Sequence, residues 1–482
     1  MIKKILAASL LFLASLSSMA KNGYKIDVKF KEDLSDSVVY LAYYFGKHLP
    51  SVFKVDSAVV TNKKKITFQR NEKITGGIYM IIYNHNSRLT EFVLENGSQF
   101  EVNIDNSKNK ARELDGLSFK NSPENDRYLV YNRLMESMAE RHKGLNAELE
   151  KAKNAADSQK VTKGFEALAE EQTNFRRNYI RQYPNTLLTA IFKAVQMPEV
   201  PRETHYLEDG VTVDSNFAYD YIRAHYWDNF DLQDDRLIHT PIFETKLTDY
   251  FEKWLYQIPD TLKQEADIIL AKTKGTEELF KYTLRTLTNN SLKSKVMGMD
   301  EFFIHLVENY YMKGAATWLD SAGLAWYADR ARKFKPNVIG NIAPELNMQD
   351  VFTFADIPLH SVKAKYTLLV IWSYDCGTCQ KEVPQLDSLY RNELKKRGVK
   401  VYSVASGGEL SEIQKFIDKH KIQEWTNVAD IHNNTDFKNK YDAFATPRLY
   451  LLDEQKRIIG KGLDHSNVLT VLEWNEKKSQ SR

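Results

Sequence analysis

The chain contains 482 residues, and its 67 basic and 64 acidic side chains leave a formal net charge of +3. Because hydrophobic residues make up 43% and aromatic residues 12%, the composition excludes a disordered chain and supports large packed cores. Basic and acidic residues are interspersed, so the sequence lacks the basic surface that nucleic-acid binding requires. The length favours about three domains.

The N-terminus has the three parts of a secretory signal. Lys3 and Lys4 supply positive charge, an apolar stretch follows from Ile5 to Leu16, and Ser18 and Ala20 occupy the positions that a signal peptidase reads. The apolar stretch is too short for a membrane span, and no later one reaches the ~18 residues that a span needs. We therefore expect residues 1–20 to be removed and the rest to be a soluble periplasmic protein; the alternative is a buried N-terminal helix.

Residues 21–118 predict an N-terminal antiparallel β-sandwich. Polar and apolar residues alternate from Tyr24 to Phe30, and β-branched and aromatic residues fill Val38 to Tyr44. Further strand-like runs, separated by turn residues, are 65–68, 77–83, 90–94 and 99–104. Short strands at this spacing are typical of a small sandwich.

Residues 119–335 predict a middle α-helical domain. Ser122 followed by Pro123 is a helix start, and the charged stretch 139–182, which is almost free of Gly and Pro, predicts one or two exposed helices. Apolar residues at helical spacing also indicate helices over 185–195, 241–256, 275–290 and 299–331. We expect these helices to pack antiparallel.

Residues 336–482 alternate strand and helix, which predicts a C-terminal α/β domain and makes the whole chain a multidomain α+β protein. The near-continuous apolar run from Tyr366 to Trp372 indicates a strand covered on both faces. The elements expected after it are a helix from 376 to about 396, a strand over 399–405, helices over 410–420 and 434–441, a hairpin of 448–452 with 457–460, and a helix over about 466–476.

The chain has two cysteines, Cys376 and Cys379, three residues apart where the apolar strand gives way to a helix. At a helix N-terminus, unpaired N–H groups and the helix dipole stabilise a thiolate and lower the pKa of Cys376 from ~8.5. Cys376 would then attack a partner's disulfide, and Cys379 would resolve the mixed disulfide. The pair therefore predicts thiol–disulfide exchange.

Two alternatives remain open for the cysteine pair. A zinc site also uses two cysteines at this spacing, but it needs four ligands, and neither a second pair nor histidines at ligand spacing are present. A redox-silent structural pair is the second alternative. We predict no metal and no cofactor.

Three stretches extend the motif into a longer pattern. They are Gly340-Asn341-Ile342-Ala343-Pro344-Glu345-Leu346, then Leu369-Val370-Ile371-Trp372-Ser373-Tyr374-Asp375-Cys376-Gly377-Thr378-Cys379-Gln380-Lys381-Glu382-Val383-Pro384, and Thr446-Pro447-Arg448-Leu449-Tyr450-Leu451-Leu452-Asp453. In this order they resemble the exported TlpA/ResA-like branch of the thioredoxin family, over about residues 336–476. The resemblance implies a thioredoxin-like fold and thiol–disulfide oxidoreductase activity.

The resemblance also implies roles for individual residues. Pro447 would form a cis peptide bond beside the disulfide and shape the groove for a substrate strand. Pro384 would kink the helix that begins at the cysteines. Glu382 matches an acid that relays a proton or adjusts a cysteine pKa, the alternative being a solvated acid on the helix surface.

Four residues are predicted to line the substrate groove: Trp372, Gly377, Thr378 and Thr446. Trp372 matches the tryptophan that the family places four residues before the first cysteine. The alternative for Trp372 is simple packing in the core.

Three positions depart from the family pattern. Asp375 replaces the usual tryptophan before the first cysteine, and its charge should oppose ionisation of Cys376. Val370 occupies the position of a buried acid, so deprotonation of the second cysteine must depend on Glu382, water or the substrate. Thr378 replaces a proline common in strongly reducing members, so we expect a potential less reducing than that of thioredoxin (~−270 mV).

The upstream regions also carry recognisable stretches, among them Tyr226-Trp227-Asp228, Leu237 with Thr240-Pro241, and Met297-Gly298-Met299-Asp300. They resemble uncharacterised domains that precede thioredoxin-like domains in many exported Gram-negative proteins. This resemblance implies an architecture without an assigned chemistry.

The leading hypothesis is a periplasmic oxidoreductase that uses Cys376 and Cys379 to reduce or isomerise protein disulfides. Its expected partners are disulfide-bearing exported proteins and a membrane thiol electron donor, with no nucleic acid; the oligomeric state stays open. The alternatives are an envelope binding or scaffold protein whose redox pair is regulatory, and a peroxidase, which the two-cysteine motif disfavours.

Overall fold

The computed structural model describes residues 22–107 and 114–480. The signal sequence predicted over residues 1–20 lies outside them. The described chain forms two compact units. The first contains the residues through Tyr250 together with Gly275–Leu279, and the second contains Phe251–Lys274 together with the residues from Phe280 onward. Both units include part of the helical region.

The first unit begins with a β-sandwich, as predicted. Its strands are β1 (Tyr24–Phe30), β2 (Val38–Tyr44), β3 (Val52–Val59), β4 (Lys65–Arg70), β5 (Gly77–Tyr83), β6 (Arg88–Leu94), β7 (Ser98–Ile104) and β8 (Leu117–Lys120). Within the described residues, one sheet has the order β4-β1-β7-β8 and the other β3-β2-β5-β6. Both sheets contribute to one core, in which Ile26, Leu41, Phe92 and Val102 are fully buried and each contribute roughly 1.5–3 kcal/mol.

The description of the sandwich as antiparallel needs one correction. Strands β1 and β7 pair in parallel, whereas the other pairs described in these two sheets are antiparallel. Residue alternation reports which face of a strand is buried but not the direction of its neighbour. Strands β3 and β8 were not predicted; both lie at sheet edges, where a weaker apolar pattern is sufficient.

The predicted helical region is confirmed as helical. Its helices are α1 (Pro123–Lys151), α2 (Ala155–Gln182), α3 (Leu187–Ala194), α4 (Phe217–His225), α5 (Phe243–Asp249), α6 (Pro259–Thr273), α7 (Glu278–Lys293), α8 (Met299–Leu306) and α9 (Ser321–Phe334). Single 3₁₀ turns lie at Asp235–His239 and Lys335–Asn337, and single π turns at Tyr250–Trp254 and Val307–Tyr311.

Local signals explain where several of these helices begin. Pro123 starts α1, and the side chain of Asn154 caps α2 by accepting from the N–H of Asp157 at 2.9 Å. The predicted exposed helices over 139–182 are α1 and α2. Helices α4 and α6 were not predicted, although α6 buries Leu262 and Ala266 at helical spacing.

The C-terminal part of the second unit is a mixed sheet covered by helices, as predicted. Its strands are β9 (Asn347–Asp350), β10 (Asp356–Pro358), β11 (Tyr366–Trp372), β12 (Val399–Ala405), β13 (Thr426–Ala429), β14 (Arg448–Leu452) and β15 (Ile458–Lys461). Its helices are α10 (Gly377–Leu389), α11 (Leu410–His420), α12 (Phe437–Lys440) and α13 (Val468–Gln480). Short turns occur at Leu359–Ser361, Tyr390–Leu394 and Lys395–Arg397.

Strand β11 is an interior strand of this sheet, whose described strands have the order β10-β9-β13-β12-β11-β14-β15. It pairs in parallel with β12 and antiparallel with β14, and all seven of its residues are buried. Leu368 and Val370 face one core layer, whereas Leu369 and Ile371 face the other. Both faces are therefore covered, as the apolar run predicted.

The structure of this C-terminal region differs from the sequence-based prediction in two details. Strands β9, β10 and β13 were not predicted, because they are three or four residues long and contain polar residues. The helix expected over 434–441 is the single turn α12. Asp436 precedes α12 in the left-handed conformation, with φ of 50°, which prevents an earlier start.

Largely buried charged side chains join the helical part of the second unit to this sheet. The Lys461 ammonium donates to Asp300 Oδ2 at 2.6 Å, to the carbonyl of Asn337 at 2.9 Å and to Asn337 Oδ1 at 2.6 Å. Arg330 on α9 donates to both carboxylate oxygens of Asp442, at 2.5 and 3.2 Å. These contacts lie within the second unit.

Candidate active site

The cysteines lie where strand β11 gives way to helix α10. Cys376 caps α10, and its Sγ accepts a hydrogen bond from the N–H of Cys379 at 3.1 Å. Both are free thiols, with Cys376 partly exposed and Cys379 fully buried. Because α10 begins at Gly377, the first sulfur occupies the position that a capping oxygen usually takes.

The two thiols have opposite tendencies to ionise. Burial opposes ionisation of Cys376, but hydrogen bonds from the side chains of Cys379 and Thr446 and from the N–H groups of Cys379 and Thr378 outweigh it, so the pKa of Cys376 is lowered. Burial, followed by the hydrogen bond with Cys376, raises the pKa of Cys379 to about 12. The accessible sulfur is therefore the better nucleophile.

The charge of Asp375 was expected to oppose ionisation of Cys376, but it does not determine the direction of the pKa shift, which is downward as the helix N-terminus predicted. The Asp375 side chain is exposed and accepts a hydrogen bond from the Ser373 hydroxyl. Water therefore screens its charge, and the hydrogen bonds from Cys379, Thr446 and Thr378 lower the pKa of Cys376.

The Thr446–Pro447 loop lies beside the first cysteine. The peptide bond between the two residues is cis, as predicted, and the Cys376 thiol donates to the Thr446 carbonyl at 3.2 Å. Thr446 and Pro447 are partly exposed, and Gly377 and Thr378 are exposed. Thr446 and Thr378 contact Cys376, and Pro447 and Gly377 are their neighbours in the chain; contact of these four residues with a substrate stays a prediction.

Trp372 does not line an open groove, which corrects the prediction. Its side chain is 1% exposed, and its ring stacks on Phe416 with 4.3 Å between centroids. Its Nε1–H donates to the Ser403 hydroxyl at 2.7 Å. Trp372 belongs to the core beneath the site, in agreement with the packing alternative.

Glu382 is buried, so the alternative of a solvated surface acid was wrong. It lies three residues after Cys379 on α10, and one carboxylate oxygen accepts from the N–H of His465 at 2.5 Å. The other is 2.8 Å from Nδ1 of the same histidine. His465 was missed from the sequence because it lies 83 residues away, in a loop without a local motif.

Within residues 22–107 and 114–480, no three or more His, Cys, Asp and Glu side chains are grouped so that they could hold a metal ion. In the same ranges, no helix combines the length and the apolar character that crossing a membrane requires.

Residues 339–461, which contain both cysteines and the Thr446–Pro447 loop, match the AhpC/TSA family. The C-terminal domain is thioredoxin-like. Upstream of this domain, residues 24–128 match DUF4369 and residues 147–335 match DUF5106, both described as domains of unknown function. The chain thus carries two additional domains before its thioredoxin-like domain, as the sequence resemblance implied.

Curated relatives of the thioredoxin-like domain share the name thiol-disulfide oxidoreductase ResA. The relative from Oceanobacillus iheyensis is 25% identical over 117 residues, which are 24% of this chain and 59% of that protein. The relative from Bacillus cereus is 24% identical over 123 residues, which are 26% of this chain and 68% of that protein. The chain therefore spans less than two thirds of the length of the first of these relatives.

Solved structures are also similar to the chain. A domain of a possible thiol-disulfide isomerase from Cytophaga hutchinsonii is 40% identical, with a TM-score of 0.28, covering 30% of this chain and 97% of that domain. A thioredoxin-like protein from Bacteroides caccae is 22% identical, with a TM-score of 0.47, covering 57% of this chain and 97% of that protein.

Proposed function

We propose that this chain is a periplasmic thiol–disulfide oxidoreductase that reduces or isomerises protein disulfides with Cys376 and Cys379. The observation that carries the proposal is the asymmetry of the pair. Cys376 is partly exposed and its Sγ accepts from the N–H of Cys379 at 3.1 Å, whereas Cys379 is buried. In line with this geometry, the pKa of Cys376 is lowered and that of Cys379 is raised to about 12. One sulfur is thus prepared to attack, and the other stays protonated until it is needed.

The proposed reaction has two exchange steps. The Cys376 thiolate attacks one sulfur of a substrate disulfide, which forms a mixed disulfide and releases the other substrate sulfur as a thiolate that takes up a proton. Cys379 then loses its proton and attacks Cys376 Sγ, which releases the second substrate thiol. Two electrons pass to the substrate and Cys376 and Cys379 become a disulfide, so a thiol reductant must restore the dithiol.

The environment of Cys376 supports an enzyme over a scaffold with a regulatory pair. A scaffold of that kind would be favoured by a closed surface above the first cysteine. Instead, Cys376 is partly exposed and the adjacent Gly377 and Thr378 are exposed. An incoming disulfide therefore has access to the nucleophilic sulfur.

The N-terminal sequence supports export, because Lys3, Lys4 and the apolar stretch after them have the order of a secretory signal. We propose disulfide-bearing exported proteins as substrates and a membrane thiol protein as the electron donor. The sandwich and helical regions would hold or select the substrate.

The test is reduction of insulin disulfides by wild type and by Cys376→Ser, with a redox titration of the wild-type pair. We expect activity that disappears in the variant, and a potential less reducing than ~−270 mV because Thr378 replaces a proline common in strongly reducing members of the family. A wild type whose pair does not exchange with disulfides would refute the proposal. Turnover of hydrogen peroxide without disulfide reduction would indicate the peroxidase instead.

A further inference from the structure

The loop that contacts the nucleophile is held by a helix outside the thioredoxin-like domain. Asp442, which is buried just before this loop, accepts from Arg330 on α9 at 2.5 and 3.2 Å and from Arg448 at 3.3 Å. Lys333, one turn after Arg330, lies 4.7 Å above the ring of Phe444. Helix α9 therefore lies beside residues that precede Pro447, and Arg448, which follows Pro447, shares the Asp442 carboxylate with it.

The loop and the helix present exposed aromatic side chains. Phe444 is 59% exposed, and Trp326, which lies on α9 one turn before Arg330, is 52% exposed. Positions 326, 330 and 333 share one face of an α-helix, because they are separated by four and three residues. Exposed aromatic and arginine side chains are the types that contribute most to protein–protein recognition.

This surface is continuous with the reactive sulfur. Phe444 is two residues before Thr446, whose carbonyl is 3.2 Å from Cys376 Sγ. A polypeptide that presents its disulfide to Cys376 must pass beside this loop. Its flanking residues then reach Phe444 and, next to it, the α9 face.

The charge of the surface indicates which polypeptide it fits. Arg330, Arg448 and Lys333 contribute positive charge, together with Arg332 at the side of the helix. Two carboxylates oppose these four cations, Asp442 and Asp329, the latter pairing with Lys333 at 2.7 Å. The excess of positive charge favours an acidic partner.

We propose that the docking surface formed by Phe444, Arg448 and the Trp326–Arg330–Lys333 face of α9 binds the acidic polypeptide segment flanking a substrate disulfide. The inference rests on the proposed oxidoreductase function and adds a substrate class to it. It assigns to helix α9, which lies in the DUF5106 match, a part in substrate selection.

The test compares three disulfides reduced by the full chain. Two are peptides with one internal disulfide: the acidic peptide has two glutamates beside a cysteine, and the basic peptide has two lysines at the same positions. The third is hydroxyethyl disulfide, which is too small to reach Phe444. We expect kcat/KM of wild type to be higher for the acidic peptide. In Phe444→Ala and Trp326→Ala, the ratio of acidic-peptide to hydroxyethyl-disulfide kcat/KM should fall about five- to tenfold.

A matched control and a charge reversal complete the test. Trp474 on α13 is 58% exposed, similar to Trp326, so Trp474→Ala should leave the ratio unchanged. Lys333→Glu should shift the preference towards the lysine peptide. Ratios unchanged in both aromatic variants, or lowered equally in Trp474→Ala, would overturn the docking surface while leaving the oxidoreductase intact.

Two other outcomes of this experiment would also overturn the proposed docking surface. A wild type that reduces none of the three disulfides overturns both proposals. A change of molecular mass by light scattering in Phe444→Ala, without a change in the ratio, would show that the surface joins copies of this chain rather than binding substrate.

Discussion

The N–H of Cys379 donates to the Sγ of Cys376 across 3.1 Å, so one turn of helix determines the chemistry of both sulfurs. The same turn exposes the first sulfur and buries the second. Accessibility and thiolate character therefore coincide on Cys376, whereas Cys379, the thiol that we propose attacks second, is shielded from solvent.

We predict that alkylation by iodoacetamide distinguishes the two thiols. Cys376 should react first, and its rate should rise with pH around a midpoint below that of an ordinary cysteine, because its pKa is lowered. Cys379 should stay unmodified at pH 8, because it is fully buried and its pKa is about 12. Mass spectrometry of timed samples measures both.

Variants of the second cysteine provide the control for this prediction. Cys379→Ala removes the side-chain donor, so the alkylation midpoint of Cys376 should move to higher pH. Cys379→Ser keeps a donor and should move it less. Equal midpoints in wild type and Cys379→Ala would contradict the assigned cause of the lowered pKa.

We predict that Trp372 contributes to stability rather than to substrate contact. Trp372→Phe leaves the Ser403 hydroxyl without the indole N–H and should lower the free energy of unfolding by roughly 1–3 kcal/mol. KM for a peptide disulfide should change by less than about twofold, because the side chain lies beneath the site. Urea denaturation and steady-state kinetics measure the two effects, and Ser403→Ala, which removes the other partner, is the matched variant. A large rise in KM with an unchanged free energy of unfolding would instead indicate that Trp372 contacts the substrate.

Local patterns predicted the parts of the fold that depend on neighbouring residues. The apolar run from Tyr366 to Trp372 specified a strand buried on both faces, and the Cys-x-x-Cys spacing placed the first cysteine at a helix N-terminus. Both features depend on residues that are close in sequence. The amino-acid sequence alone was therefore sufficient to predict these two features.

Contacts between distant residues could not be predicted in this way. Glu382 meets His465 across 83 residues, and Arg330 meets Asp442 across 112. From its sequence neighbours alone, a charged residue is predicted to be solvent-exposed. Its ion-pair or hydrogen-bond partner is determined by the packing of the whole unit. For the same reason, the sequence could not show that Asp375 is exposed and that water therefore screens its opposing effect on the Cys376 pKa.

We predict that Lys461 stabilises the second unit through its buried ion pair. Lys461→Met should lower the free energy of unfolding by roughly 3–5 kcal/mol, because the Asp300 carboxylate, whose side chain is 10% exposed, loses its partner. Urea denaturation followed by tryptophan fluorescence measures the change.

Two further variants test whether the loss of unfolding free energy in Lys461→Met comes from the buried ion pair. The double variant Lys461→Met with Asp300→Asn should recover part of the loss, since no buried charge is then unpaired. Lys335→Ala removes an exposed pair with Glu308 and should cost about 1 kcal/mol or less. If Lys461→Met cost no more than Lys335→Ala, the buried pair would not be a significant source of stability.

The last prediction concerns Glu382, which we propose accepts a proton from Cys379 as the mixed disulfide is resolved. Glu382→Gln should slow resolution by at least about a hundredfold, the usual contribution of a general base, while attack by Cys376 continues. A fluorescent peptide disulfide in single turnover would then accumulate as the mixed disulfide. His465→Ala is the matched variant, because it keeps the carboxylate and its backbone donor but removes the ring at 2.8 Å. If both variants lowered stability without accumulation of the mixed disulfide, the Glu382–His465 pair would only anchor the loop before α13 to α10.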